Sequence, residues 1–455
     1  MVSKINIKSF FSIITSKLIL KISKSFLQGG SNFPGKVALK LDKDILKVIS
    51  KGYKTIIITG TNGKTTTTSA TVNIFKQQGY EVITNNTGAN MFPGIVSCFL
   101  DNYKFFKTKS TKDKVAILEV DEANVKFITE YIKPEVISIT NLFRDQLDRY
   151  GEVYITLEKI LEGIKKSPNS TLILNGDESL LGNLSVPNPL KYYGFNNFNL
   201  GDKTIELNAD AKFCTVCKSP YKYNFITYNH LGDFFCDNCG YKRPLLDYHI
   251  DDIITLTSKG SSFIINNNEF FMPQSGTYNI YNALCAYSIA KFFNIEDSII
   301  STSLLKQDAS FGRQESIDIE GKEVNIILVK NPAGYNQAID TLSLGKDSMS
   351  IAFLLNDNYA DGRDVSWIWD VSFDKLNSLP ICDVIIGGYR KYDMAVRLKI
   401  SGLNQDNFKL SASDDEVLNN IIGCESNKVY VLTTYTAMIN FRKHLNSKGY
   451  LKKLW

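Results

Sequence analysis

Short apolar runs alternate with helix-length amphipathic stretches from residue 54 to about residue 200. Alternation of this kind predicts a parallel sheet that is covered by helices on both faces. The strands are predicted at 54–60, 80–85, 115–120, 135–140 and 171–175, with helices that include 63–78 and 122–132. Because ligands bind at the carboxyl ends of parallel strands, chemistry is expected in the segments that follow these runs.

The same alternation returns near residue 324. Strands are predicted there at 324–329, 350–355, 383–386 and 429–432, and helices at 393–400 and 436–445. Between the two blocks lies a helical pattern at 278–293, preceded by a polar and aromatic stretch at 208–246 that contains four cysteines. The chain, with 455 residues and 44% hydrophobic content, is long enough for two or three cores.

A glycine-rich turn, Gly60-Thr61-Asn62-Gly63-Lys64-Thr65-Thr66-Thr67, follows the first predicted strand. In such a loop, backbone N–H groups and the N-terminus of the next helix converge on one point and bind phosphate. We expect Lys64 to reach the β- and γ-phosphates of ATP from an exposed position, and the Thr65 hydroxyl to ligate Mg²⁺. The alternative is an ordinary turn, since Ile58 stands where the general pattern has its first glycine.

Glu119 ends the predicted strand 115–120, beside the expected phosphate loop. A carboxylate at this position is suited to hold Mg²⁺ together with Thr65. Asp121 and Glu122 follow at once, so the sequence leaves open which carboxylate binds the metal. For Glu122 we favour the simpler interpretation, an acid that complements the dipole of the next helix.

Two Cys-x-x-Cys pairs, Cys214/Cys217 and Cys236/Cys239, are separated by eighteen residues. Four thiolates at this spacing predict the closed tetrahedral coordination of a structural Zn²⁺, in a ribbon inserted at about 208–246. A redox pair or a chance cluster is the alternative. His230 lies inside the ribbon but is redundant once four thiolates are counted.

These patterns together predict an α/β protein of three parts. Residues 1–50 form an N-terminal helix and lead-in, and residues 51–312 form a central domain with a P-loop-type parallel sheet and an inserted zinc ribbon. Residues 313–455 form a Rossmann-like α/β domain. Arg313 follows Phe311-Gly312 at this boundary, where a guanidinium could reach a nucleotide phosphate when the domains close.

Charge and cysteine usage narrow the cellular context. A net charge of +5 with scattered basic residues does not indicate nucleic-acid binding, and the paired cysteines suit a reducing cytoplasm. The stretch 10–27 is rich in Phe, Ile and Leu, but Lys17, Lys21 and Lys24 interrupt it before the ~20 apolar residues of a membrane span. It predicts an amphipathic helix that packs on the protein or a partner, or that lies on an anionic membrane surface.

The segment from Asn356 to Asp370 follows another predicted strand and holds four aspartates and two tryptophans. Turn chemistry explains Asn358 and Gly362, but not the gathering of carboxylates at the end of a strand. We therefore predict a functional role for at least one of these aspartates.

Taken together, these segments resemble the Mur ligase family, whose members join amino acids to a peptidoglycan precursor by phosphorylating a carboxylate with ATP. The loop 60–67 resembles their ATP loop, and Glu119 resembles their magnesium carboxylate. Asn279, in Thr277-Tyr-Asn-Ile-Tyr-Asn-Ala283, resembles the asparagine that reads adenine, and Arg313 resembles the hinge arginine. The resemblance thus assigns to the nucleotide site Gly60, Thr61, Asn62, Gly63, Lys64, Thr65, Thr66, Asn279 and Arg313.

The resemblance is closer to a branch of the family that acts as the ATP-using subunit of a two-subunit amidotransferase, and there it covers essentially the whole chain. It is carried by Pro34-Gly35-Lys36, Phe143-Arg-Asp-Gln146, the four cysteines, Lys330-Asn-Pro-Ala-Gly334 and, most specifically, the run from Asp357 to Trp367. Gln146 stands where amino-acid-adding members have histidine, which argues against their usual second metal.

The resemblance implies a GatD-like class I glutaminase as partner in a heterodimer, releasing ammonia from glutamine. This subunit would phosphorylate the α-carboxylate of D-glutamate in lipid II, and ammonia would displace phosphate to give D-isoglutamine. Lys64 and Asp364 would be the catalytic residues, with Asp364 orienting the partner's histidine across the interface. Asp357 and Asp361 remain rivals, because spacing alone does not choose among them.

Two other functions stay open at this point. One is a stand-alone Mur ligase that adds an amino acid to a peptidoglycan precursor, against which Gln146 counts. The other is a zinc-ribbon interaction protein whose nucleotide site is only regulatory.

Overall fold

The computed structural model describes residues 6–27, 32–85, 89–105, 112–144, 153–182, 184–199, 211–307, 313–345 and 347–451. Three helices come first: α1 (Ile7–Leu27), α2 (Phe33–Leu41) and α3 (Ile45–Ile49). Among the described residues, no helix combines the length and apolar character needed to cross a membrane.

In the described part of the chain, eleven strands follow up to Met272. They are β1 (Lys54–Thr59), β2 (Glu81–Ile83), β3 (Lys114–Glu119), β4 (Val136–Ile139), β5 (Thr171–Asn175), β6 (Leu190–Phe195), β7 (Lys222–Tyr228), β8 (Leu231–Phe235), β9 (Tyr248–Thr257), β10 (Gly260–Ile265) and β11 (Asn268–Met272). Nine of them form one sheet in the order β11-β10-β9-β6-β5-β4-β1-β3-β2, and β7 pairs with β8 in a separate hairpin. The strands from β9 to β2 in this order run parallel, whereas β10 and β11 extend the sheet antiparallel.

Helices cover both faces of this sheet. They are α4 (Lys64–Gln77), α5 (Phe92–Asn102), α6 (Val125–Tyr131), α7 (Val153–Lys165), α8 (Thr277–Phe292) and α9 (Asp297–Leu305). Side chains of a strand alternate between faces, so Ile56 and Ile58 of β1 join the core under α4 and α8, and Ile57 joins the core under α5 and α6. A strand buried on both faces is a continuous apolar run, which explains why the sequence predicted β1.

A second sheet contains six strands in the order β12-β13-β17-β14-β15-β16. The strands are β12 (Arg313–Ile319), β13 (Lys322–Leu328), β14 (Met349–Leu354), β15 (Ile381–Gly387), β16 (Phe408–Leu410) and β17 (Lys428–Thr433). All neighbours pair in parallel except β12 and β13. Its helices are α10 (Pro332–Leu342), α11 (Lys391–Ile400), α12 (Asp414–Ile422) and α13 (Tyr435–Ser447).

The predicted parallel sheets are confirmed, and each predicted strand corresponds to an observed one within a few residues. The predicted helix 122–132 begins as a 3₁₀ turn, Glu122–Asn124, before α6. The antiparallel extension β9 to β11 was not predicted. Its signal is Asn266-Asn267, whose φ angles of 47° and 68° are those of a tight hairpin turn.

Candidate active site

The loop after β1 has the conformation that its glycines permit. Gly60 and Gly63 have φ angles of 121° and 83°, and α4 begins at the next residue, Lys64. A Cβ atom on Gly60 would collide with Thr140, and one on Gly63 would collide with the Asn282 amide. Both glycines are therefore required by conformation and by close approach of neighbouring chain.

The segment after β4 holds this loop from below. The Thr61 backbone N–H donates to the Asn141 carbonyl (3.0 Å), and the Thr61 hydroxyl donates to the Phe143 carbonyl (3.2 Å). The Asn62 N–H donates to the Asn141 side chain (2.9 Å). These hydrogen bonds fix the loop against the end of the neighbouring parallel strand.

Lys64 is largely buried, which corrects the expectation of an exposed lysine. Its ammonium donates to Glu122 Oε1 (2.8 Å), to the Thr61 carbonyl (3.3 Å) and to the Gly60 carbonyl. Burial lowers the pKa of Lys64. The charge and hydrogen bond of Glu122, with the charges of Glu119 and Asp121, raise this pKa by more than burial lowers it, so it lies above its usual value. The ammonium is therefore charged at neutral pH.

The three acids at the end of β3 and just after it have different partners. Glu122 pairs with Lys64, so the dipole interpretation of this residue was incomplete. Asp121 caps the 3₁₀ turn, accepting from the Ala123 N–H (3.2 Å) and the Asn124 amide (2.9 Å). Glu119, at the end of β3, accepts a hydrogen bond from the Asn90 amide at Oε1 (3.2 Å). Glu119 and the Thr65 hydroxyl, in the first turn of α4, remain the predicted magnesium ligands.

A cleft opens beside the loop, between the two large sheets. Loop, helix and strand residues from both sides line it: Asn62, Gly63, Thr66, Tyr228, Tyr278, Asn282, Ile327, Leu328, Ala333, Gly334, Gln337 and Ala338. Asn62 and Asn331 exchange side-chain amide hydrogen bonds across it (3.2 and 3.4 Å). Asn331 also caps α10 by accepting from the Gly334 N–H (2.8 Å). The segment 330–334, which follows β13, therefore contacts the loop directly.

The two asparagines of α8 have different positions. Asn279 is buried and held within its own helix, donating to the Ser275 carbonyl (2.7 Å) and accepting from Asn282 (3.2 Å). Asn282, which the sequence did not single out, lines the cleft beside Gly63. Arg313 begins β12 opposite Ile327, and its side chain lies outside the described residues, as does Gln146.

The four cysteines come together at the base of the β7–β8 hairpin. Their Sγ atoms all lie within 4.8 Å of one another, with 3.5 Å between Cys214 and Cys239 and 3.4 Å between Cys217 and Cys236. Zn–S bonds of ~2.3 Å in a tetrahedron separate sulfurs by about 3.8 Å, so the donors fit a zinc ion. Hydrogen bonds from Asn238 and Ser219 lower the pKa of Cys217 to about 5, which favours the thiolate.

The far end of the same hairpin reaches the cleft, which the sequence did not predict. Tyr228 lines the cleft, with its ring 5.7 Å from that of Phe143. His230 is fully buried and its Nε2 lies 2.8 Å from Glu178 Oε2, which also accepts the Leu142 N–H (3.2 Å). His230 is therefore a structural partner of the segment that holds the phosphate loop.

The aspartates after β14 differ in their hydrogen-bond and ion-pair partners. Asp361 is buried and accepts hydrogen bonds from the Thr436 N–H (2.7 Å), the Thr436 hydroxyl and the Asn358 N–H (3.1 Å). Asp357 pairs with Arg390 (3.2 Å). Asp364 is half-buried in a surface groove, where it accepts from the Ser366 N–H (2.8 Å) and hydroxyl (2.9 Å).

Apolar and aromatic side chains surround the groove of Asp364. Tyr392 and Val396 line it from α11, Trp369 lines it from the 3₁₀ helix Ser366–Asp370, and all three are exposed. Arg397 lies over the Trp369 ring, 5.4 Å from its centroid. Asp370, in the same 3₁₀ helix, lies 3.7 Å from Arg144 of the segment after β4. The groove therefore lies at the surface but is linked to the region of the phosphate loop.

Comparison with known families gives two matches on this chain. The Mur ligase middle domain matches residues 58–241, which include the phosphate loop, Glu119 and the cysteine cluster. The MurT ligase C-terminal domain matches residues 328–438, which include Asn331 and the aspartate loop.

Similar proteins cover nearly the full chain. Subunit MurT of the glutamine-hydrolysing lipid II isoglutaminyl synthase of Streptococcus pneumoniae is 42% identical over 94% of this chain and 95% of its own. The Staphylococcus aureus subunit of the same name is 32% identical over 87% and 88%.

Solved structures share the fold at lower identity. A pseudomurein peptide ligase type C from Methanothermus fervidus aligns with a TM-score of 0.67 at 23% identity, covering 89% of this chain and 80% of its own. MurF ligase from Thermotoga maritima, solved with ADP, aligns with a TM-score of 0.61 at 13% identity, covering 90% and 85%. By sequence, family domains and fold, the chain belongs to the MurT family of Mur ligase-related proteins.

Proposed function

We propose that this protein is the synthetase subunit of a glutamine-dependent amidotransferase. It uses ATP to amidate the α-carboxylate of D-glutamate in lipid II, giving D-isoglutamine, with ammonia from a GatD-like class I glutaminase. The observation that carries the proposal is the 42% identity to a MurT subunit over 94% of the chain. The same relationship favours this function over a stand-alone Mur ligase or a regulatory zinc-ribbon protein.

The first step activates the carboxylate. The substrate oxygen attacks the γ-phosphorus of ATP, ADP leaves, and an acyl phosphate forms. The N–H groups of residues 60–66 and the ammonium of Lys64 would bind the phosphates and neutralise charge on the transferring group. Lys64 is already charged and aimed into the loop by Glu122, so binding of ATP exchanges one anionic partner for another.

Mg²⁺ would be held by the Thr65 hydroxyl and Glu119, both of which offer the oxygen ligands that this ion prefers. It would supply charge neutralisation between the phosphates. For adenine we propose Asn279, by family resemblance, with Asn282 beside it on the cleft wall. Arg313 is proposed as the hinge residue that reaches a phosphate on closure.

Closure of the cleft would bring the second domain onto the nucleotide. The Asn62–Asn331 amide pair supports this proposal, since it joins the phosphate loop to the first turn of α10 across the cleft. We accordingly propose the division into residues 1–50, 51–312 and 313–455, the last with a Rossmann-like arrangement of five parallel strands.

In the second step, ammonia attacks the acyl carbon and phosphate leaves. We propose that the groove of Asp364 receives the glutaminase, so that this carboxylate orients a histidine of the partner. Three features support this choice over its rivals. Asp361 is buried and fully engaged with Thr436, Asp357 is paired with Arg390, and the groove has an exposed apolar rim suited to a protein partner.

The four cysteines are proposed to bind a structural Zn²⁺. With four sulfurs the coordination is closed, so the ion would stabilise the hairpin without taking part in the reaction. We expect elemental analysis of freshly purified, reduced protein to find stoichiometric zinc, and Cys239→Ser to lose it. Finding no zinc in well-folded protein would overturn the assignment.

The reaction itself is tested by purifying the chain with a GatD-like glutaminase and incubating the complex with lipid II, ATP and glutamine. Mass spectrometry should detect replacement of one carboxyl by an amide, and fragmentation should locate it on the α-carbon of D-glutamate. Omitting ATP or the glutaminase provides the controls. Addition of an amino acid in place of an amide would support the stand-alone ligase and reject our proposal.

A further inference from the structure

The N-terminal helix α1 turns a row of serines toward the protein and a row of apolar side chains toward the solvent. Ser9, Ser12 and Ser16 face inward and are fully buried. The Ser9 hydroxyl donates to Asp42 (2.5 Å), and the Ser12 hydroxyl donates to the Ala38 carbonyl (3.0 Å). Serines on the inner side let α1 lie close to α2, and Ile13 is buried beside them, but several other large apolar side chains of the helix face away from the protein.

These outward side chains form one row along the helix. Ile7 is 77% exposed, Phe11 62% and Leu18 60%, and Ile14 and Ile22 belong to the same row. The spacing keeps them on one face at about 3.6 residues per turn. Phe33 at the start of α2 is exposed as well. A continuous apolar surface of this kind marks an interaction site.

The charged residues of α1 itself are all lysines. The 21 residues of α1 include four lysines, at positions 8, 17, 21 and 24, and no aspartate or glutamate. By helical spacing, Lys8 lies beside one edge of the row, and Lys17 and Lys21 lie beside the other. Lys8 and Lys21 are exposed, and the Lys17 ammonium donates to the Tyr103 carbonyl. The outer face of α1 therefore combines an apolar stripe with lysines.

Among the candidate occupants, one satisfies both features. A second copy of this chain would bring lysines against lysines, which costs free energy at a symmetric interface. An anionic lipid bilayer offers apolar depth for Phe11 and Leu18 and headgroup phosphates for the lysines. We infer that the outer face of α1 is a docking surface for an anionic bilayer, on which the helix lies flat.

The inference rests in part on the proposed function, because a membrane-bound substrate requires the enzyme to work at the bilayer surface. Docking by α1 would raise the concentration of the enzyme where lipid II resides. This docking would depend on the first helices alone and would require neither ATP nor the glutaminase.

Co-sedimentation tests the inference directly. The full chain is mixed with phosphatidylcholine vesicles that contain phosphatidylglycerol, or with vesicles of phosphatidylcholine alone. We expect binding to the anionic vesicles that weakens as salt is raised. The double variant Phe11→Ser/Leu18→Ser and the charge reversal Lys8→Glu/Lys21→Glu should each lower this binding by about tenfold or more.

The matched control is Leu245→Ser/Ile254→Ser, which removes two exposed apolar side chains elsewhere on the chain. It should bind the vesicles as the unsubstituted protein does, and all variants should keep the same melting temperature. The inference is wrong if the unsubstituted protein does not bind anionic vesicles, or if Phe11→Ser/Leu18→Ser binds them undiminished. It is also wrong if light scattering finds a dimer that this variant dissociates.

Activity on two forms of substrate separates this inference from the proposed reaction. With the glutaminase present, Phe11→Ser/Leu18→Ser should amidate a short-chain, water-soluble lipid II analogue normally but lose activity on lipid II embedded in anionic vesicles. Equal activity of this variant on both forms would reject the docking role. If the unsubstituted complex amidates neither form, the proposed function fails, whereas vesicle binding still decides the docking surface.

Discussion

Two loops of this protein occupy equivalent places in their sheets but differ in how they are held. The loop after β1 is enclosed, with its lysine paired to Glu122 and its backbone bonded to the segment after β4. The loop after β14 is open, and it presents Asp364 in a surface groove with an exposed aromatic rim. The first loop is held by contacts within the chain, whereas the second presents a carboxylate at the surface.

The difference shows that position at the carboxyl end of a strand does not define the role of an acid. Asp361 and Asp364 lie three residues apart, yet one is buried against Thr436 and the other faces the groove. Glu119 and Glu122 are likewise close in sequence, and only Glu122 pairs with Lys64. In each pair the hydrogen-bond partner, rather than the spacing, distinguishes the structural acid from the available one.

The largest effect is expected at Lys64. Lys64→Ala should lower amidation by at least about a hundredfold with glutamine or with free ammonia, because the charge that stabilises phosphoryl transfer is lost. It also leaves Glu122 buried without its cation, which should cost up to about 3 kcal/mol of stability. Lys64→Ala/Glu122→Gln should recover the melting temperature but not the activity. Undiminished amidation by a folded Lys64→Ala protein would remove the loop from the mechanism.

The next largest effect separates the two loops. Asp364→Asn keeps the shape of the side chain but removes its charge, so glutamine-dependent amidation should fall by about a hundredfold while the complex still assembles. Free ammonia at high pH should restore part of the product, since the phosphate loop is intact. An equal loss of amidation with glutamine and with ammonia would instead indicate that Asp364 acts in the phosphorylation site of this chain.

A third substitution tests the contrast inside one loop. Asp361→Ala removes a buried acceptor from the Thr436 N–H and hydroxyl and the Asn358 N–H, and should lower the free energy of unfolding by about 2 kcal/mol. Thermal or denaturant unfolding of the purified chain measures it, with Asp364→Ala as the matched control. A control that is destabilised as much as Asp361→Ala would contradict the division of roles.

The smallest effect is expected where the first loop meets the second domain. Asn331→Ala removes the amide pair with Asn62 across the cleft. The two amide hydrogen bonds are long, and a combined net contribution of about 1 kcal/mol should raise KM for ATP by about fivefold with kcat little changed. The exposed amide substitution Asn268→Ala, on β11, is the control. An unchanged KM would mean that the two domains close on ATP without this contact.

The sequence predicted most of what depends on local pattern. Strands buried on both faces, the phosphate loop and the four cysteines all have signals within a few residues. What it did not predict depends on distant partners: Asn282 beside Gly63, Tyr228 on the cleft wall and the His230–Glu178 pair. The prediction that Lys64 is exposed was wrong for the same reason. The pairing of β3 with β1 places Glu122 next to Lys64.

The β7–β8 hairpin has a consequence for how this protein can change over time. Its removal would leave Glu178 without His230 and the cleft without Tyr228, so the excision of a surface decoration would become damage to the nucleotide site. Loss of the insertion would therefore remove contacts that support the cleft, whatever the four cysteines bind. With the structural zinc proposed above, a lineage that carries the insertion would also have to keep these cysteines reduced and supplied with metal.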